Sequence, residues 1–141
     1  MRAEANHNLI VQNTSNFEIN EMLKRAFEAE VNILQLVGEH DNIIKLVDHQ
    51  VNPRKSGNSF EVYILLEYCP HGTLFDVIEA KCKMGLAGIT NETELLQIIY
   101  DVANGLRHLH NRRIAHRDLK IENVLQGNDG KWKICDFGSC T

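Results

Sequence analysis

Residues 116–123 read HRDLKIEN and residues 136–138 read DFG, and no other feature of the chain restricts its folding as much. Between them lie NVLQ, the turn residues GNDG and then KWKIC, a pattern that predicts a β-hairpin. A hairpin returns the chain on itself. Asp136 is thereby brought back toward Asp118 and Asn123, although it stands 18 and 13 residues beyond them. Oxygen donors without cysteine or histidine suit Mg²⁺, which favours one or two carboxylates plus substrate phosphates. The pattern therefore points to phosphoryl transfer.

The 141 residues make about one domain. An apolar share of 43% excludes disorder throughout. The longest unbroken apolar run is only five residues, 62–66, and the first eleven residues lack the core of a secretory signal. No transmembrane segment is expected, and the protein is expected to stay inside the cell. A net charge of −4 offers no global attraction for nucleic acid. Cys69, Cys82, Cys135 and Cys140 lack the paired short spacings of a zinc site and read as free buried thiols. His108 and His110 stand two apart, on different sides of a helix, and cannot chelate together.

Along the chain, Ser15 with Glu18 fits a capping box that opens a helix. Ile19, Met22, Leu23, Ala26, Phe27, Leu34 and Val37 continue it at helical spacing to about Gly38. IIKLVDH (43–49) and FEVYILLEY (60–68) predict an antiparallel strand pair around a polar loop at 52–59. Thr73 with Asp76 predicts a capped helix to about Met84. Asn91 with Glu94 opens a longer one, to about Asn111, whose buried face is predicted to hold Leu95, Ile99, Val102, Leu106 and Leu109.

HRDLKIEN followed by DFG resembles the catalytic loop and metal-binding triplet of eukaryotic protein kinases, with eight signature positions agreeing. The resemblance implies an α+β kinase-like fold. Residues 1–68 would be the remainder of the N-terminal lobe from the family's αC helix onward, 69–72 the hinge, and 73–141 the start of the C-terminal lobe. It implies that Asp118 accepts the proton of the attacking hydroxyl, and that Asn123 and Asp136 hold Mg²⁺ against the phosphates of ATP. Lys120 is similar to the lysine with which serine/threonine kinases neutralise the transferred phosphate. His116 would be structural, packing on Phe137 ahead of Gly138. Arg117 stands where kinases commonly meet a phosphorylated activation segment. Glu30 is the candidate for the inward αC glutamate, with Leu34 one turn later packing toward Phe137. Leu66 would be the gatekeeper, Glu67 and Cys69 would offer hinge backbone to adenine, and Leu125 would underlie the ring.

Within kinases, DFGSCT, LEYCPHGTL and GEHDNIIKL look most like the Numb-associated group, which includes adaptor-associated, cyclin-G-associated and fungal actin-regulating kinases. That resemblance implies clathrin-adaptor or actin-patch proteins as substrates and a cytoplasmic location beside endocytic sites. Two elements of the family pattern cannot be found: a glycine-rich loop, since the first glycine is Gly38, and a third-strand lysine, since the only lysine before Glu30 is Lys24. The activation segment is also lacking, so the resemblance covers about half a kinase domain. Leu95, Ile99, Val102 and Leu106 would then form an exposed apolar stripe needing a missing segment or partner as cover, and the chain alone is expected to be poorly soluble or to associate. Two readings stay open: a piece of an active serine/threonine kinase, or a non-catalytic kinase-like module acting through a partner. A small-molecule phosphotransferase is a weaker third.

Overall fold

A buried wedge at 42–44 ties the two halves of the chain together. In the computed structural model, which describes residues 10–11, 21–53, 60–89 and 91–141, this wedge sits between a long helix and the last hairpin strand. The elements are β1 (Ile10–Val11), α1 (Glu21–Val37), β2 (Leu46–Pro53), β3 (Phe60–Leu66), α2 (Leu74–Lys83), α3 (Glu92–Asn111), a 3-10 turn (Ile121–Asn123), β4 (Val124–Gln126) and β5 (Trp132–Ile134). One antiparallel sheet has the order β1-β3-β2, and β4 and β5 form the predicted hairpin. The capping box expected at Ser15 and Glu18 lies outside the described residues.

Helix α1 buries Val31, Leu34 and Val37 at threefold spacing, so one stripe faces inward. Leu34 and Val37 join Ile43, Ile44, Cys69, Leu109, Ile114, Ile134 and Phe137 in the main core. A smaller core gathers Leu74, Ile98, Val124 and Trp132.

The first strand of the expected pair begins at Leu46, not Ile43, because Ile43 and Ile44 are drawn to β5 instead. Ile44 N–H donates to the Ile134 carbonyl at 2.9 Å, and Ile134 N–H to the Asn42 carbonyl at 3.0 Å. The Asn42 side chain adds a bond to the Trp132 carbonyl at 3.0 Å. At its far end β2 runs through Pro53, into the stretch expected to be loop, while β3 stops at Leu66, two residues short of Tyr68.

Helix α2 starts as expected. Asp76 N–H donates to Thr73 Oγ1 at 3.1 Å, and Thr73 N–H to Asp76 Oδ2 at 2.8 Å, a reciprocal capping box. For α3 the cap is simpler: Asn91 accepts from Thr93 N–H at 2.9 Å, and Glu94 turns away to Lys81 at 2.7 Å. Its buried face is rotated from the expected one, to Ile98, Asp101, Gly105 and Leu109. Val102 and Leu106 are half-buried, whereas Leu95 and Ile99 are 45% and 55% exposed. The expected apolar stripe is therefore present only in part. It borders an open groove of about 460 Å³ lined by Leu74, Ile98, Val102, Leu106, Leu119 and Ile121 among others. Among the described residues no helix is long and apolar enough to cross a membrane. Cys82 is exposed, contrary to the expectation of buried thiols throughout, because it stands on the outer face of α2.

A pair of histidines closes the end of α1. The His108 Nε2–H donates to the Val37 carbonyl at 2.9 Å, and its ring lies 4.3 Å from that of His40. His40 Nδ1 accepts the Asn42 N–H at 3.0 Å, so His40 serves the turn in its neutral form. Burial first, then the neighbouring His108, hold its pKa below 6.5; Arg107 and Arg112 add to this and Asp41 opposes it. In the unfolded chain His40 binds its proton more readily, so its contribution to stability is full above about pH 6.5 and is lost as pH falls through the lower folded value. His40→Asn, which keeps an acceptor for Asn42, is expected to lose less melting temperature than the wild type between about pH 7.5 and pH 5. Thermal melts at the two pH values check this.

Candidate active site

The turn at 121–123 exists because Asn123 folds back on the preceding loop. Its N–H donates to the Lys120 carbonyl at 2.9 Å, and its side-chain Nδ2 donates to the Asp118 carbonyl at 2.9 Å and to Asp118 Oδ2 at 3.2 Å. Lys120 Nζ reaches the same Oδ2 at 2.7 Å. Asp118, Lys120 and Asn123 therefore form one hydrogen-bonded group. Asn123 is buried beneath it, while the side chains of Asp118 and Lys120 stay 39% and 48% exposed. The lysine hydrogen bond is the main cause that holds the Asp118 carboxyl below 3.8, with Asn123 adding to it. Asp118 is an ionised base at neutral pH. The same bond raises Lys120, which also feels the charge of Asp136.

The hairpin delivers Asp136 as the spacing requires. Cys135 N–H donates to the Asn123 carbonyl at 2.9 Å, fixing the residue before Asp136 beside the 3-10 turn. Asp136 itself has φ of 63°, in the left-handed region, as does Arg117. Such backbone costs a non-glycine residue about 1–2 kcal/mol and collects where function demands a particular aim. Asp136 Oδ1 accepts from Gly138 N–H at 3.3 Å.

His116 lies in the core behind the loop. It is buried, its Nε2–H donates to the Cys135 carbonyl at 2.9 Å, and its ring meets Phe137 edge-on at 5.3 Å. Its Nδ1 is buried without a hydrogen-bond partner among the described residues. Arg117 Nε donates to the Ser139 carbonyl at 2.9 Å, and Ala115 and Thr141 exchange both backbone bonds.

Glu30 on α1 also arrives at this site. Burial is the main cause that raises its carboxyl above 4.5; the charge of Asp136 raises it further and the Phe137 N–H, bonded to it, pulls it down. It thus faces the 136–138 segment from the α1 side. The sequence holds no lysine before Lys24, and Lys24 is engaged elsewhere, 3.7 Å from Glu28 and over the Phe60 ring at 4.6 Å. Leu34 and Phe137 share the main core, and Leu66, Cys69 and Leu125 pack against or within that core.

Just past the end of β3, in the stretch expected to offer backbone to adenine, Glu67 N–H donates to the Lys45 carbonyl at 2.9 Å. The Glu67 carbonyl and the Cys69 N–H, an acceptor and a donor two residues apart, make no hydrogen bond among the described residues. The Glu67 side chain does something the sequence did not suggest: it pairs with the buried Lys133 at 3.2 Å. The signal was a lysine between Trp132 and Ile134 on a strand buried at every position. Burial pushes the Cys69 thiol up to about 11 and that of Cys135 to about 12, so neither is a nucleophile at neutral pH.

A family model described as "Protein kinase domain" matches residues 2–141. The chain belongs to the protein kinase domain family. A probable serine/threonine-protein kinase of Dictyostelium discoideum is 39% identical over 119 residues, covering 82% of this chain and 14% of that protein. Actin-regulating kinase PRK1 of Saccharomyces cerevisiae is 34% identical over 113 residues, covering 79% and 14%. The kinase-domain protein ppk38 of Schizosaccharomyces pombe is 39% identical over 129 residues, covering 84% and 19%. This kinase-domain chain therefore spans less than a fifth of the length of these relatives. Its α+β elements are those of an incomplete kinase fold, as the motifs implied.

Proposed function

We propose that this chain carries the adenine-binding hinge and phosphoryl-transfer loop of a serine/threonine protein kinase, which moves the γ-phosphoryl group of ATP to a protein hydroxyl. The observation that carries this reading is the bonded group of Asp118, Lys120 and Asn123 with Asp136 returned beside it by the hairpin. Asp118 is ionised, exposed and oriented by two donors, as a base for a serine or threonine hydroxyl must be. Lys120 keeps ammonium hydrogens beside that base for the negative charge of the group in transfer. The hinge acceptor and donor at Glu67 and Cys69 suit the edge of an adenine ring.

The donor set fits Mg²⁺. Asn123 spends its Nδ2 on Asp118, leaving Oδ1 without a hydrogen bond among the described residues, and Asp136 bonds Gly138 through Oδ1 alone. Among the described residues no group of three or more His, Cys, Asp or Glu converges on a metal. An amide oxygen with one carboxylate is the sparse set that a hydrated cation shared with phosphates uses. Mg²⁺ held there would neutralise charge on the phosphate oxygens.

Heat shifts test the assignment. MgATP is expected to raise the melting temperature of the purified chain, by about 2.7 kcal/mol of stabilisation at 100 times Kd. Asp136→Asn, which tolerates the left-handed backbone, is expected to lose the Mg²⁺-dependent part of that shift. Equal shifts in both proteins would refute the metal role of Asp136.

Glu30 supports a second reading, since it faces Asp136 and takes the Phe137 N–H. On that reading the chain binds nucleotide without turning it over and acts through a partner. Transfer of labelled phosphate to a mixed serine/threonine peptide library separates the two. Relatives named actin-regulating kinases support the narrower proposal of actin-patch or clathrin-adaptor substrates, met in the cytoplasm beside endocytic sites.

A further inference from the structure

Lys133 is the only buried lysine among the described residues, its side chain 8% exposed. An ammonium withdrawn from water costs several kcal/mol unless it is paired and hydrogen-bonded. Its Nζ donates to the Asp41 carbonyl at 3.0 Å and pairs with Glu67 Oε1 at 3.2 Å. The same Glu67 oxygen accepts the Lys45 N–H at 2.8 Å, while the Glu67 N–H returns a bond to the Lys45 carbonyl at 2.9 Å. One cation thus gathers the loop between α1 and β2, the end of β3 where the hinge begins, and β5, three residues before Asp136. Gly127 makes room for it: a Cβ there would lie 2.7 Å from Lys133 Cε.

We infer that Lys133 is a positioning residue for the hinge: by holding the Glu67 side chain behind the strand end, it keeps the Glu67 carbonyl and Cys69 N–H presented to a nucleotide base. This inference rests on the proposed nucleotide site for its purpose but not for its test. Removing the ammonium leaves Glu67 without its cation, and a carboxylate that can reach water turns outward. The hinge then loses the Glu67 side-chain bond to Lys45 N–H. The Lys133 ammonium makes no hydrogen bond or ion pair with α3 among the described residues, so α3 keeps its own bonds.

Native-state amide hydrogen exchange of the ligand-free chain tests this, comparing peptides that span 62–70 with peptides from α3 as the internal control. In Lys133→Met the hinge amides are expected to exchange about tenfold faster or more, with α3 unchanged. Lys133→Arg is expected to restore most of the protection. Glu67→Gln keeps an acceptor for Lys45 but loses the charge, and is expected to quicken the hinge in the same way should Lys133→Met fail to fold. Hinge exchange at the wild-type rate in these variants would overturn the inference. So would equal quickening of hinge and α3, which would make Lys133 a contributor to overall stability only. Adding MgADP is expected to slow the hinge amides of the wild type more than those of Lys133→Met. A wild-type hinge that MgADP leaves unprotected would refute the nucleotide site itself, while the ligand-free comparison still decides the role of Lys133.

Discussion

Asp118→Asn is expected to lower the rate of phosphoryl transfer by about 10²–10⁴-fold, the usual contribution of a general base. The substitution keeps the shape of the side chain and one oxygen for Lys120 or Asn123, so the loop at 118–123 stays folded. What disappears is the lone pair with enough basicity to accept a hydroxyl proton, worth about 3–5 kcal/mol of barrier at that rate ratio. Single-turnover transfer to a serine or threonine acceptor, compared with the wild type, is the measurement. The MgATP heat shift is expected to be unchanged, because binding relies on other groups. A variant that transfers at the wild-type rate would remove Asp118 from the mechanism. Because Lys120 holds the Asp118 carboxyl below 3.8, any loss of rate nearer neutrality belongs to a different group.

Gly105→Val is expected to destabilise the fold by about 3 kcal/mol or more, a large fraction of the roughly 5–15 kcal/mol that keeps a domain folded. A Cβ at 105 would lie 2.7 Å from the Asn42 carbonyl oxygen and 2.9 Å from Ile134 Cδ1. The carbonyl cannot yield, since it accepts the Ile134 N–H and so fixes the wedge against β5. Alanine would recover about 1 kcal/mol of helix propensity against part of this clash; valine adds branching at the crowded position. The melting temperature should fall by about 10 °C. Arg107→Ala, on the exposed side of the same helix, should change stability by no more than about 0.5 kcal/mol. A valine variant as stable as the wild type would show that α3 does not sit so close to the wedge.

The geometry of the motif was legible because each motif residue bonds to its neighbours in sequence. Asp118, Lys120 and Asn123 bond within a six-residue stretch, and the hairpin that returns Asp136 carries its own turn signal. The Thr73 cap was legible for the same reason. What escaped was long-range. Ile43 and Ile44 look like strand residues from composition, yet their partner is Ile134, about ninety residues away. The α3 face was misread because its buried side is polar and small at two positions. Asp101 faces inward to accept Trp132 N–H at 3.0 Å and Gln97 Nε2 at 3.0 Å, and Gly105 faces inward for clearance. A glycine within a helix was itself a hint, since it costs about 1 kcal/mol unless close packing repays it. The Lys133–Glu67 pair was missed because charge pairs between distant segments leave no spacing rule in one sequence, and only the apolar neighbours of Lys133 hinted at its burial.

The wedge at 42–44 also sets an order of events during synthesis. Asn42 and Trp132 are 90 residues apart, so at ordinary elongation rates about 5–20 s separate the appearance of the two on the ribosome. During that interval Ile43 and Ile44 have no β5 to pair with, and α1 has nothing firm at its carboxyl end. The first half of the polypeptide therefore waits, apolar and unfinished, for a strand made much later, and the β4–β5 hairpin acts as the keystone whose arrival lets both halves set at once.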